Sequence, residues 1–262
     1  MNFSVFYTCY TEVKAVSYSI STLKSVYPDC YIYLVSDGGS DYSFLEKEYN
    51  NIKCNLEYDS RGFIPKISDD YKSDVMQEKI KQSILTFLDR TNRAIEYGQK
   101  DYLLVMEPDI IVRGKLTNPY HQKLLGTRIN NGLSQDLQNV LKQNGGIPID
   151  TWGATPAIFH SESFKVAYTN LLNNTNLLND LALSEKRLSN YDILYPVLFA
   201  TIGIEESFNP EIVECYRDYN WMNTQHPIVH QYRAKYPLSS EGYNGTHINH
   251  HNGMGDNWLW ER

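Results

Sequence analysis

The chain has 262 residues and a net charge of −7, enough length for one substantial core with at most a small appendage. No block of like charges stands out, which excludes a general nucleic-acid surface and an anionic-membrane patch; no run of about 18 apolar residues offers a membrane span. The start lacks a leader pattern, and Cys9, Cys30, Cys54 and Cys215 show no C-x-x-C spacing, so a reducing, cytoplasmic location is expected.

Phe3 to Tyr7 reads as a first strand, followed by a turn at Thr8-Cys9-Tyr10. Thr11 is the expected N-cap of a helix with Val13, Val16, Ile20 and Leu23 at helical spacing. Tyr31 to Val35 is a second strand, running into Ser36-Asp37-Gly38-Gly39, whose glycines permit a tight turn and close approach of a ligand. A short helix near 41–49 and a third strand from Ile52 to Leu56 follow. Residues 57–72, with Arg61, Pro65 and Lys66, have little periodicity and read as a functional loop. From Asp74 to Tyr97 one helical face carries Met76, Ile80, Ile84, Leu88 and Ile95, with Ser73 placed to cap the start and Gly98 to end it.

Tyr102 to Met106 is apolar or aromatic without alternation, the pattern of a strand covered on both faces. Glu107-Pro108-Asp109 closes it. In extended backbone the two carboxylates would project to one side, and hard oxygen ligands at a sheet's mouth suit Mn or Mg. An acidic turn after a core strand is the structural alternative. Strand-helix alternation over the first 110 residues predicts an open α/β sheet whose ligands bind at the strands' carboxyl ends, lining up Thr8, Tyr10, Asp37, Glu107 and Asp109 on one rim. Neither G-x-G-x-x-G nor G-x-x-x-x-G-K-[ST] occurs, which argues against a dinucleotide oxidoreductase and a P-loop NTPase.

Beyond Gly114 the pattern loosens. Residues 117–150 read as a lid or acceptor-side insertion with a helix near Ser134 to Lys142. Trp152-Gly153 opens a ligand-lining turn that enters a strand ending at His160. Helices are expected at Ser161 to Asn173 and Tyr191 to Thr201, and a strand at Ile228 to His230. The tail carries His247, His250 and His251 without cysteine partners, so a zinc site is not expected there.

In this order the motifs resemble those of nucleotide-sugar-dependent glycosyltransferases of the GT-A fold. The resemblance implies one Rossmann-like α/β domain over 1–262, an open mixed sheet, mostly parallel, with a nucleotide-sugar half at 1–114 and an acceptor half at 115–262. Glu107-Pro108-Asp109 stands where the family has D-x-D, with Asp109 kept. The segment from Ile228 to Pro237 is similar to the His-x-x-Gly-x-x-Lys segment of family 8 enzymes, although the glycine is missing and the lysine is one residue closer. The likeness implies Asp109, Glu107 and His230 as ligands of Mn2+ (or Mg2+), Lys235 on the diphosphate, and Asp192 as the acidic residue of an acceptor-side helix that in inverting members takes the acceptor's proton, with Glu205 and Glu206 in reserve and a first-turn aspartate favoured by the helix dipole as its structural alternative. Arg61 and Lys79 match only by position the basic groups that touch nucleotide or phosphate. Thr8, Tyr10 and Asp37 would contact the nucleoside, and Trp152 with Gly153 would shape the sugar and acceptor site. Donor and acceptor would be a nucleoside diphosphate sugar, UDP-linked by family frequency, and a hydroxyl of a glycan or other acceptor. A metal-dependent nucleotidyltransferase and a non-catalytic sugar-binding module are the rival readings. The first normally shows a glycine-rich loop after the first strand, which Thr8-Cys9-Tyr10-Thr11 lacks.

Overall fold

Side chains alternating between two cores build the first half of the chain into a parallel sheet. In the computed structural model, which describes residues 2–57, 73–117, 122–129, 133–149, 152–185, 188, 191–214 and 225–230, strands β1 (Phe3–Cys9), β2 (Ile32–Asp37), β3 (Ile52–Glu57) and β4 (Tyr102–Met106) lie parallel in the order β3-β2-β1-β4. Helices α1 (Val13–Val26), α2 (Phe44–Glu48) and α3 (Asp74–Gly98) intervene. On β4, Leu103 and Val105 enter one core while Leu104 and Met106 enter the other. A strand covered on both faces has no polar side to offer, hence the unbroken apolar run.

The short β5 (Ile110–Val112) leaves this sheet. The second half then returns to it with β6 (Leu124–Ile129), α4 (Gln135–Gln143), β7 (Trp152–His160), α5 (Ser161–Leu172), α6 (Thr175–Ser184), α7 (Tyr191–Ala200) and β8 (Ser207–Phe208). The full order is β3-β2-β1-β4-β7-β6-β8, with β7 antiparallel to both β4 and β6 and β8 parallel to β6. A smaller sheet has the order β5-β10-β9, formed with β9 (Ile212–Glu214) and β10 (Ile228–His230). Helix α1 anchors it: the Ser19 hydroxyl donates to the Ile110 carbonyl at 2.5 Å, and the Val112 amide donates to the Thr22 hydroxyl at 3.1 Å.

Several expectations need correction. Residues 124–129 are not part of a lid or insertion but a strand of the main sheet, and α4 buries Leu137 and Leu141 in its core. The Ser134 hydroxyl caps α4 by accepting from the Leu137 amide. Helix α6 has no counterpart among the expected elements. Strand β1 continues through Thr8 and Cys9, which are therefore not in a turn. Glu12, not Thr11, precedes α1 as its N-cap, and Ser73 occupies the N-cap of α3 without a side-chain bond. Gly98 does not stop α3 by turning left-handed; Gln99 does that at φ 50°. Gly98 is needed for packing, because a β-carbon there would lie 2.2 Å from the Ser4 β-carbon.

Past the end of α1, the buried Lys24 ammonium donates to the carbonyls of Pro28 (3.2 Å), Cys30 (2.7 Å) and Asn50 (2.7 Å). One cation thus satisfies three carbonyls at the base of β2 and β3. No helix among the described residues is long and apolar enough to cross a membrane.

Candidate functional site

The Ile110 amide donates to the Glu107 carbonyl at 3.1 Å, closing a tight turn between β4 and β5 with Pro108 in its second position. Glu107 and Asp109 are thus not in extended backbone, and the expectation that strand geometry sets them on one side is corrected. Glu107 is half-buried and follows β4; its charge acts on Tyr195, whose phenol is held well above the usual range by burial, against a hydrogen bond with Thr91, and with a further push from Glu107. Asp109 goes with the small sheet.

There it meets His230. The β5–β10 ladder is antiparallel with His230 opposite Ile110, the neighbour of Asp109. Asp109 Oδ1 and His230 Nε2 stand 3.7 Å apart, and both side chains are nearly excluded from solvent. That distance is too long for a hydrogen bond. Ligand bonds of about 2.1 Å to each atom would let one ion touch both, and a carboxylate with an imidazole is a donor set that Mn accepts. Among the described residues no third His, Cys, Asp or Glu completes such a cluster, so Glu107 does not join it in this arrangement.

The rim next to this pair is formed by β1 and β2. The Tyr10 carbonyl accepts from the Ser40 amide (2.9 Å), the Tyr42 hydroxyl (3.0 Å) and the Ser36 hydroxyl (3.4 Å), which binds the Asp37 loop to the end of β1. Gly38 turns at φ 74°, and a β-carbon on Gly39 would lie 2.1 Å from the Tyr10 oxygen. The glycines therefore serve the tight turn as expected, and the observed close approach is to Tyr10. The Tyr10 ring is exposed, Thr8 half-buried, and Asp37 sits at the tip of β2.

Sequence reasoning missed what holds Asp37. Arg90, buried on α3, donates from Nη2 to Asp37 Oδ1 at 2.9 Å and from Nε to Glu57 Oε2 at 3.0 Å. Arg93 grips Glu57 with bonds of 2.7 and 3.0 Å, and also meets the Tyr33 hydroxyl (3.1 Å) and Asp89 (3.0 Å). Burial opposes ionisation of Glu57, but the hydrogen bonds from Arg93 and Arg90 outweigh it and hold the carboxyl below its ordinary value. The signal was available: an arginine on the same helical face as Phe87, Ala94 and Ile95.

Trp152 and Gly153 begin β7, paired with Ile129 and Arg128. Since β7 is antiparallel to β4 with Leu104 opposite Ile158, the start of β7 lies toward the carboxyl end of β4. Asp192 is the second residue of α7, in its first turn as expected. Lys79 is half-buried on the second turn of α3, and no described contact brings it to Asp109 or His230. Arg61, Lys235 and the histidines of the tail lie outside the described residues.

No protein-family model matches the chain, and no curated protein matches it in sequence. Solved structures resemble it in fold. An active-site mutant of LgtC superposes with a TM-score of 0.51 at 12% identity over 86% of each chain. The galactosyltransferase LgtC in complex with donor and acceptor sugar analogs gives 0.49 at 13% identity over 86% of each chain. The glycosyltransferase GlyE of Streptococcus pneumoniae TIGR4 gives 0.47 at 11% identity, over 88% of this chain and 55% of that one. At such identities the likeness is one of fold: a mixed α/β sheet, mostly parallel in its first half, flanked by helices and of GT-A type.

Proposed function

From the GT-A fold and the residues on its rim, we propose that this chain is a glycosyltransferase. It would move a hexose or related sugar from a nucleoside diphosphate sugar, UDP-linked by default, to a hydroxyl of a glycan or other acceptor. The observation that carries this reading is the buried approach of Asp109 to His230 at 3.7 Å, at the end of β4 where such sheets take ligands.

Asp109 and His230 would hold Mn2+ or Mg2+, with Glu107 at the other end of the same turn. When bound, a divalent ion stabilises the charge that grows on the departing diphosphate. The chain's own residues do the rest. Thr8, Tyr10 and Asp37 bind the nucleoside from the ends of β1 and β2, with the exposed Tyr10 ring available for stacking. Trp152 and Gly153 border the sugar and acceptor side. Asp192 would be the carboxylate that takes the acceptor hydroxyl's proton if the anomeric centre inverts.

A screen of nucleotide sugars for turnover, with and without Mn2+, tests the reading and reports base, sugar and metal together. Metal-dependent release of UDP or GDP supports it. Failure of every nucleotide sugar to turn over or bind would sink it.

A further inference from the structure

Asp37 is held in an asymmetric way. Its carboxylate side chain is 43% exposed, yet Oδ1 is bonded to a guanidinium whose side chain is only 4% exposed, while no described group donates to Oδ2. A buried arginine is usual only when its donors are paired. Arg90 anchors one end of its fork on Glu57, itself clamped by Arg93, and extends the other to the tip of β2. An ion pair with a half-exposed partner adds little to stability, so what the fixed fork contributes at Asp37 is direction.

The direction has a natural object. The run β3-β2-β1-β4 matches the 3-2-1-4 part of doubly wound dinucleotide-binding sheets, where an acidic side chain past the second strand bonds the ribose 2′-hydroxyl of the ligand held at the switch point. We propose that Arg90 is a positioning residue that sets Asp37 so its Oδ2 accepts a hydrogen bond from the 2′-hydroxyl of a nucleoside diphosphate. This inference rests on the nucleotide-sugar reading above. A carboxylate already fixed by its other oxygen has less rotamer freedom to lose on binding, so the bond distinguishes ribose from deoxyribose more sharply than a free side chain would.

The test is calorimetric titration of the full chain with UDP and 2′-deoxy-UDP, and with GDP and 2′-deoxy-GDP, each with Mn2+, alongside thermal melting. The wild type should prefer the ribonucleotide by roughly tenfold or more, as one charged hydrogen bond allows. Asp37→Asn should reduce that preference, and Arg90→Gln should cut it to within about threefold while leaving the deoxynucleotide Kd unchanged. Arg90→Lys, which keeps the charge but cannot fork, should fall between and carries the test should Arg90→Gln not fold. Overturning results are a full ribose preference in folded Arg90 variants, or equal weakening of both sugars, which a merely structural arginine would give. A wild type that binds both sugars alike overturns the inference and leaves nucleotide binding standing. A wild type that binds none of the four removes the nucleotide reading and this inference with it.

Discussion

Asp109 and His230 face each other across 3.7 Å because the β5–β10 ladder seats His230 opposite Ile110, one residue beyond Asp109. A charge at about 4 Å in an environment of effective dielectric near 20 is worth roughly 4 kcal/mol, and about 1.4 kcal/mol is tenfold in rate. Asp109→Asn, which keeps the shape, is therefore expected to lower Mn2+-dependent turnover by about two to three orders of magnitude with an unchanged circular dichroism spectrum. Unaltered activity in that variant would argue against the metal role.

Gly98 tests a packing claim. Alanine in a helix normally gains about 0.5–1 kcal/mol over glycine, but here its β-carbon would lie 2.2 Å from Ser4 Cβ and 2.3 Å from Ser4 Oγ. Gly98→Ala is expected to lose about 1–3 kcal/mol in urea denaturation, the range for overpacking. Adding Ser4→Gly should recover most of it; no recovery would mean that the clash is not the cause.

Lys24 bonds three carbonyls from one buried ammonium. Lys24→Met keeps the stem but strands those acceptors, at a cost of about 2–3 kcal/mol by chemical denaturation. Wild-type stability in the variant would show that water replaces the ammonium without penalty.

Acid should expose the Glu57 clamp. Because hydrogen bonds from Arg93 and Arg90 overcome burial and hold its folded pKa below the unfolded one, its stabilisation is complete above about pH 4.3 and is lost as pH falls through the folded value. Wild type should therefore lose stability more steeply than Glu57→Gln as pH falls below about 4.3, with both profiles read from urea midpoints. Parallel profiles would contradict the clamp.

Burial pushes the Cys30 thiol up to about 12; burial, with Glu46 and Asp41, does the same for Cys54, and Cys9 is raised well above its ordinary value, chiefly by burial. With so little thiolate, alkylation of Cys30 and Cys54 at about pH 8 should run roughly a thousandfold slower in the native protein than in urea, and that of Cys9 should also be slower, mapped by mass spectrometry. Rapid native labelling of Cys30 would show that the base of β2 opens readily.

Legibility tracked how local the cause was. Tyr102–Met106 could be read to the residue because burial on both faces leaves only one kind of side chain there. Strand β6 escaped because Gly126 and the irregularity between Leu125 and Thr127 break its pattern, and its partner β7 comes later in the chain. Asn-rich surroundings hid α6. From local sequence Gly98 reads as a helix stop, because its real constraint, Ser4, is distant in sequence. The Asp109–His230 approach could be expected only through family resemblance, since no spacing rule links two strands of a small antiparallel ladder. Arg90 was visible as a charge on an apolar helical face, but its partners at the tips of β2 and β3 were not.

His230 belongs to the last described strand, inserted between β5 and β9. A ribosome extends a chain at about 5–20 residues per second, so the acidic turn emerges well before its imidazole. Any product cut short before residue 228 keeps the order β3-β2-β1-β4-β7-β6-β8 within reach and still lacks the histidine. Closing the small sheet and supplying the imidazole are then one step, and a product that stops before residue 228 has no means of imitating the longer chain at this spot.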